Sequence, residues 1–314
     1  MSWMRQRVRW QRWRPAGSIA QVDAQKEPRS GERKAARPAF DPGEPMDRNR
    51  IGIELISVLG MPPVEFAQFT ARMGCGNMGI ALETMYPDNP EGYPAWSMRE
   101  DVALRRAFRS ALDDNGVAIS VGEGFLAWPH EDVSTYAADL DLMTELRAGA
   151  VNLLSIDPDL ARALDQTARF AEMASERGLP AVLEYMPGMA IGNLSTATQA
   201  ARHAGSDRLK VMVDTMHFFR SGSQPADLAA TDPKLIGYVQ VCDVPLVCKH
   251  ESYGEEARFD RLAPGEGELP LDQFLAAVPD HCIVGLETPM MPKARAGIGA
   301  AERLGPAISW LQAI

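Results

Sequence analysis

No CxxC pair and no zinc-ribbon spacing occurs in this chain; its four cysteines are Cys75, Cys242, Cys248 and Cys282. That excludes thiolate zinc modules and thioredoxin-like redox motifs, and it suits reduced thiols in a cytoplasmic protein. No apolar run reaches the roughly 18 residues that cross a bilayer, so no membrane partner is expected. No apolar segment follows the basic start and no adjacent arginine pair precedes one, so neither a secretory nor a twin-arginine signal is read. Histidine is scarce, with five in all. A Gly-rich phosphate turn is also missing after the first apolar run, where the sequence is SVLGMPP. A doubly wound nucleotide-binding sheet would want one there.

Positive charge is scarce too, except at the start. Residues 1–50 hold 12 Lys/Arg against 6 Asp/Glu, a balance of +6; the rest hold 20 against 36, a balance of −16. An acidic body argues against nucleic acid as the partner. The start, MSWMRQRVRWQRWRP, and the Pro-punctuated polar stretch behind it bury too little apolar surface to fold alone. Residues 1–49 are therefore read as a disordered extension and 50–314 as the folded domain. Hydrophobic residues make up 46% of the chain and charged residues 24%, the balance of a soluble globular protein.

From residue 51 apolar runs alternate with stretches of helical period. Strands are expected at Ile51–Val58, Met78–Leu82, Val117–Val121, Ala150–Leu154, Ala181–Glu184, Lys210–Val213, Ile236–Val241 and Ile283–Leu286. Helices are expected at Pro63–Met73, Met98–Asn115, Ser134–Arg147, Pro158–Arg177 ended by Gly178, a segment capped by Ser195, Ala226–Ala230, Leu271–Ala277 and Ala300–Gln312. Eight such repeats predict parallel strands and an α/β fold, and eight is the number that closes a (β/α)8 TIM barrel. The stretches 123–132, with Phe125 and Trp128, and 249–251 are read as loops, and PGEGEL at 264–269 as a turn.

Barrel chemistry sits at the C-terminal strand ends. The fifth strand ends at Glu184, the sixth at Asp214 with His217 three residues on, the seventh carries Gln240 and Asp243, and the eighth ends at Glu287. One strand-end acid is usually a turn cap. Three carboxylates converging on one mouth would repel, and a divalent cation resolves the conflict.

LEYMPG, D-x-x-H, VQVCD, RLAPGEGEL and GLETP occur in that order. Together they resemble the xylose isomerase-like barrels, the sugar phosphate isomerase/epimerase superfamily related to endonuclease IV, over roughly residues 50–314. The resemblance implies metal ligands at Glu184, Asp214 and Glu287, with Gln240 where relatives usually carry histidine. It implies catalytic roles for Glu184, Glu287 and His217, and substrate binding by His217 and Arg261. Three carboxylates and an amide form an all-oxygen site, which suits Mn²⁺ first and Mg²⁺ second; Gln240→His should move preference toward zinc or cobalt. The expected activity is isomerisation or epimerisation of a sugar or keto-polyol, a small-molecule substrate, with a homodimer as an assembly the resemblance allows. The same enolate can instead expel a β-hydroxyl, as in the inosose and dehydroshikimate dehydratases, with Glu123, His130, His250 and Glu251 as candidate acids. A DNA-repair endonuclease would need many more histidines, and a non-catalytic binding barrel need not keep three carboxylates.

Overall fold

The alternation of apolar runs and amphipathic stretches closes on itself. In the computed structural model, which describes residues 46–314, eight parallel strands form one closed barrel in sequence order. They are β1 (Ile51–Ile53), β2 (Asn77–Ile80), β3 (Ala118–Ala127), β4 (Val151–Ser155), β5 (Ala181–Glu184), β6 (Leu209–Asp214), β7 (Ile236–Val241) and β8 (Val284–Leu286). Closure is made by β1 against β8, with Ile51 opposite Val284 and Ile53 opposite Leu286. Strands of a parallel barrel are covered on both faces, so they read as unbroken apolar runs rather than alternating ones.

Around the barrel run α1 (Pro63–Arg72), α2 (Val102–Asn115), α3 (Ala137–Glu145), α4 (Leu160–Ser175), α5 (Leu194–Ala204), α6 (Thr215–Arg220), α7 (Pro225–Ala230), α8 (Tyr253–Phe259), α9 (Leu271–Leu275), α10 (Met291–Arg295) and α11 (Ala300–Ala313). The amphipathic ones turn their apolar stripe to the strands: α4 buries Ala163, Leu164, Phe170, Ala171 and Ala174 along one face. Gly178 takes the left-handed conformation expected beyond that helix, at φ 70°.

Three expectations need correcting. The first strand stops at Ile53, and Leu55–Val58 is a 3-10 turn. The third strand runs on to Ala127, so Glu123 and Phe125 belong to a strand and not to a loop. The cap of α5 is Asn193, whose side chain accepts from Thr196 N, not Ser195. Residues 249–251 lie in a loop as expected, and the helix α8 follows them. Most of the extension read over residues 1–49 lies outside the described residues. At its end, Asp47 caps a 3-10 turn over Arg48–Arg50 that leads into β1. No helix among the described residues is long and apolar enough to cross a membrane.

Candidate active site

Asp214 ends β6 and serves as N-cap of α6: its Oδ1 accepts from His217 N at 2.9 Å. This is why aspartate and histidine stand three apart, because an N-cap oxygen reaches the amide of the third helical residue. The cap turns the His217 ring back over the barrel mouth. There its Nε2 lies 3.2 Å from Glu184 Oε1. Tyr253, from α8, places its hydroxyl on His217 Nδ1. Arg220 pairs with the buried Glu256 at 3.1 Å and so ties α6 to α8.

Glu184 ends β5 and is held from the neighbouring strand. Asn152 Nδ2 donates to its Oε2 at 2.9 Å, while the Glu184 amide donates to Asn152 Oδ1 at 3.2 Å. Glu287 follows β8. Between Glu287 and Asp214 stands Arg261, 3% exposed, whose Nη1 is 2.6 Å from an oxygen of each. Its Nε donates to Ala257 O. Burial pushes the Asp214 carboxyl up, but the Arg261 and His217 charges and the His217 amide bring it below the usual carboxylate range. Burial dominates at Glu287 and lifts its carboxyl well above that range in spite of Arg261.

A second set of buried polar groups lies beside the first. Gln240, in β7, donates from Nε2 to Glu123 Oε1 at 3.3 Å, while its Oε1 has no hydrogen-bond partner. Glu54, just beyond β1, accepts from the Tyr238 hydroxyl at 2.7 Å, and Tyr238 in turn meets Ser120 Oγ across the barrel at 2.8 Å. The other oxygen of Glu54 meets no hydrogen-bond donor and faces the Glu123 carboxyl. Two such carboxyls can bond only by sharing a proton. Burial pushes Glu54 up to about 7, and burial together with Glu54 lifts Glu123 well above the ordinary range. Room for Glu54 comes from two glycines. A Cβ on Gly285 would lie 1.7 Å from its Oε1, and one on Gly79 would lie 1.9 Å from its Oε2.

Glu123, Glu184, His217, Arg261 and Glu287 line one cavity, with Asn152, Phe125 and Tyr86. Of the four candidate general acids only Glu123 is among them; His130, His250 and Glu251 lie elsewhere, and His250 pairs with Asp260 at 2.9 Å. Asp243 is the turn cap that a single strand-end acid usually is. Its carboxylate accepts from the amides of Val244, Gly265 and Leu269, across the PGEGEL turn. Asn152, Tyr253 and Glu54 were not picked out from the sequence. Asn152 carries the same signal as Gln240, an amide inside the apolar run VNLLS.

The donor set has the chemistry of a hard divalent site. Its three carboxylates exceed the single charge of Arg261, and Gln240 brings a buried, unpartnered amide oxygen. The place between Asp214 and Glu287 is held by the guanidinium of Arg261. Among the described residues no three His, Cys, Asp or Glu side chains are placed together to hold a metal ion.

The profile of the xylose isomerase-like TIM barrel family matches residues 68–314. The chain belongs to this family. No curated protein matches it. Among solved structures, the IolI protein with a bound zinc atom is 16% identical, with a TM-score of 0.67 over 83% of this chain and 95% of that one. The probable 3-DHS dehydratase AsbF of Bacillus anthracis is 14% identical, with a TM-score of 0.66 over 83% and 98%. A D-psicose 3-epimerase crystallised with D-fructose is 14% identical, with a TM-score of 0.60 over 83% and 97%. The chain spans 39% of the length of a xylose isomerase-like TIM barrel/4-hydroxyphenylpyruvate dioxygenase fusion protein, at 21% identity and a TM-score of 0.62. At these identities the likeness is one of fold. Within this xylose isomerase-like fold the neighbours include an epimerase, a dehydratase and a zinc-bound protein.

Proposed function

We propose that this xylose isomerase-like barrel is an isomerase or epimerase that moves a proton next to the carbonyl of a sugar or keto-polyol. The observation that carries the reading is that Glu184 and Glu287, from strands with two others between them, line one cavity with His217 and Arg261. Two carboxylates arriving from separated strands can address opposite faces of one substrate carbon. One takes the proton and the other returns it, to the same carbon for epimerisation or to its neighbour for isomerisation. His217, oriented by Tyr253, donates from Nε2 to a substrate oxygen, and Arg261 faces the charge that develops on the enolate. Asn152 keeps Glu184 in one rotamer, so proton transfer does not wait on a side-chain search.

Glu184, Asp214, Gln240 and Glu287 would hold a divalent ion, Mn²⁺ before Mg²⁺, which when bound polarises a carbonyl. Buried free thiols at Cys75, Cys242 and Cys282 suit a cytoplasmic home.

A second reading is favoured by one residue. Glu123 offers the cavity a buried carboxyl held in its protonated form, as a general acid over a leaving hydroxyl requires. That would make the protein a dehydratase. Both readings are tested by incubating the protein with ketoses and keto-polyols in D₂O, with and without Mn²⁺. Deuterium entering beside the carbonyl supports proton transfer, and growth of a conjugated-carbonyl absorbance marks elimination. Binding of such a substrate without exchange or elimination marks the barrel as a binding protein, and both readings then fail.

A further inference from the structure

We propose that Arg261 and a divalent ion compete for one place, between Asp214 and Glu287, so that the guanidinium closes the ion site until it is drawn out. The inference rests on the metal-assisted reading above and concerns how the ion enters.

Three observations carry it. Arg261 Nη1 is 2.6 Å from Asp214 Oδ2 and 2.6 Å from Glu287 Oε2, so one nitrogen already bridges the two carboxylates. The remaining oxygen of Asp214 accepts from His217 N, so each of its oxygens already carries a hydrogen bond. A second cation on the same two oxygens would meet the full repulsion of the first in a buried setting. Gln240 Oε1, meanwhile, is buried and has no hydrogen-bond partner.

The backbone shows how the exchange takes place. Asp243 and Leu262 exchange amide hydrogen bonds of 2.9 and 2.8 Å, and Asp260 bridges Met290. Both neighbours of Arg261 are therefore pinned, and the loop does not need to open. The side chain alone has to swing, into the adjoining cavity that Arg261 already lines. The move breaks the charge-assisted hydrogen bonds to Asp214 and Glu287 and the one from Nε to Ala257 O, and the ion–carboxylate bonds compensate for the first two.

The test titrates Mn²⁺ alone into wild-type protein and R261M, by calorimetry and by Mn²⁺ electron paramagnetic resonance. A guanidinium that is withdrawn a tenth of the time or less lowers the apparent affinity roughly tenfold or more. R261M should therefore bind one Mn²⁺ at least about tenfold tighter than wild type. Equal affinity in the two proteins overturns the competition and leaves the metal-assisted reading standing. Binding by neither overturns both. Binding by R261M alone supports the competition and takes the metal out of the wild-type reaction. Because R261M strips the counter-charge from two buried carboxylates, wild type supplies an independent measurement. Phenylglyoxal should modify Arg261 several-fold faster with Mn²⁺ present, read by mass spectrometry against Arg258. An Arg261 rate that Mn²⁺ leaves unchanged counts against the proposal.

Discussion

Two groups of buried carboxyls share this barrel, and each answers its burial differently. On the side of β5, β6 and β8, Glu184, Asp214 and Glu287 keep company with Arg261 and His217. On the side of β1 and β3, Glu54 and Glu123 face each other with no cation between them, and Tyr238 and Gln240 donate to them. In the first group Arg261 and His217 hold Asp214 below the usual carboxylate range, although burial still lifts Glu287 above it. The second group meets burial by keeping a proton. A buried acid in a barrel mouth is thus no single kind of object. An ionised one can take a proton from a substrate, and a protonated one can only give.

The contrast breaks most severely at Glu184. Glu184→Gln keeps an oxygen that accepts from Asn152 Nδ2 and removes the base. Proton exchange into a responsive substrate should fall by roughly 10²–10⁴-fold, with stability little changed. Glu123→Gln should leave that exchange largely intact, and equal losses in the two variants would erase the distinction. Next comes Arg261→Met. Leaving a buried charge uncompensated costs about 3–5 kcal/mol, so urea unfolding at pH 7 should show a loss of that order.

A third break concerns space. Gly285→Ala sets a methyl 1.7 Å from Glu54 Oε1 with no slack around it. Overpacking of this kind costs about 1–3 kcal/mol, and Glu54→Ala in the same chain should return part of it. The last effect is one of pH. Glu54 rises from 4.5 to about 7 on folding. The native state therefore binds the extra proton between those values. The contribution of Glu54 to stability is greatest below 4.5 and is lost as pH rises through 7. Glu54→Gln should flatten the fall in Tm over that window. A profile as steep as that of wild type would mean that Glu54 is ionised when folded.

Much of this molecule was legible beforehand, and the exceptions have physical causes. Eight apolar runs gave eight strands, because burial on both faces leaves a plain hydrophobic signature. Glu184, Asp214, His217 and Glu287 were found because each stands at the end of such a run. Glu123 was set in a loop because GEG interrupts the run. Yet Gly122 is there for packing: a Cβ on it would lie 2.6 Å from Met143 Sδ. The helix α8 was missed because SYGEEARFD mixes glycine with charge and shows no stripe. Arg261 was singled out by resemblance, but its bridging of Asp214 and Glu287 is a distance across the barrel, which spacing along the chain does not encode.

Arg261 also sets an order of events during synthesis. It lies 47 residues beyond Asp214. At about 5–20 residues per second, the ribosome delivers it several seconds after that aspartate. Through that interval Asp214 is present without the guanidinium against which it is buried. A half-made barrel of this sequence has reason to keep its mouth wet, and the late arginine is what allows it to dry.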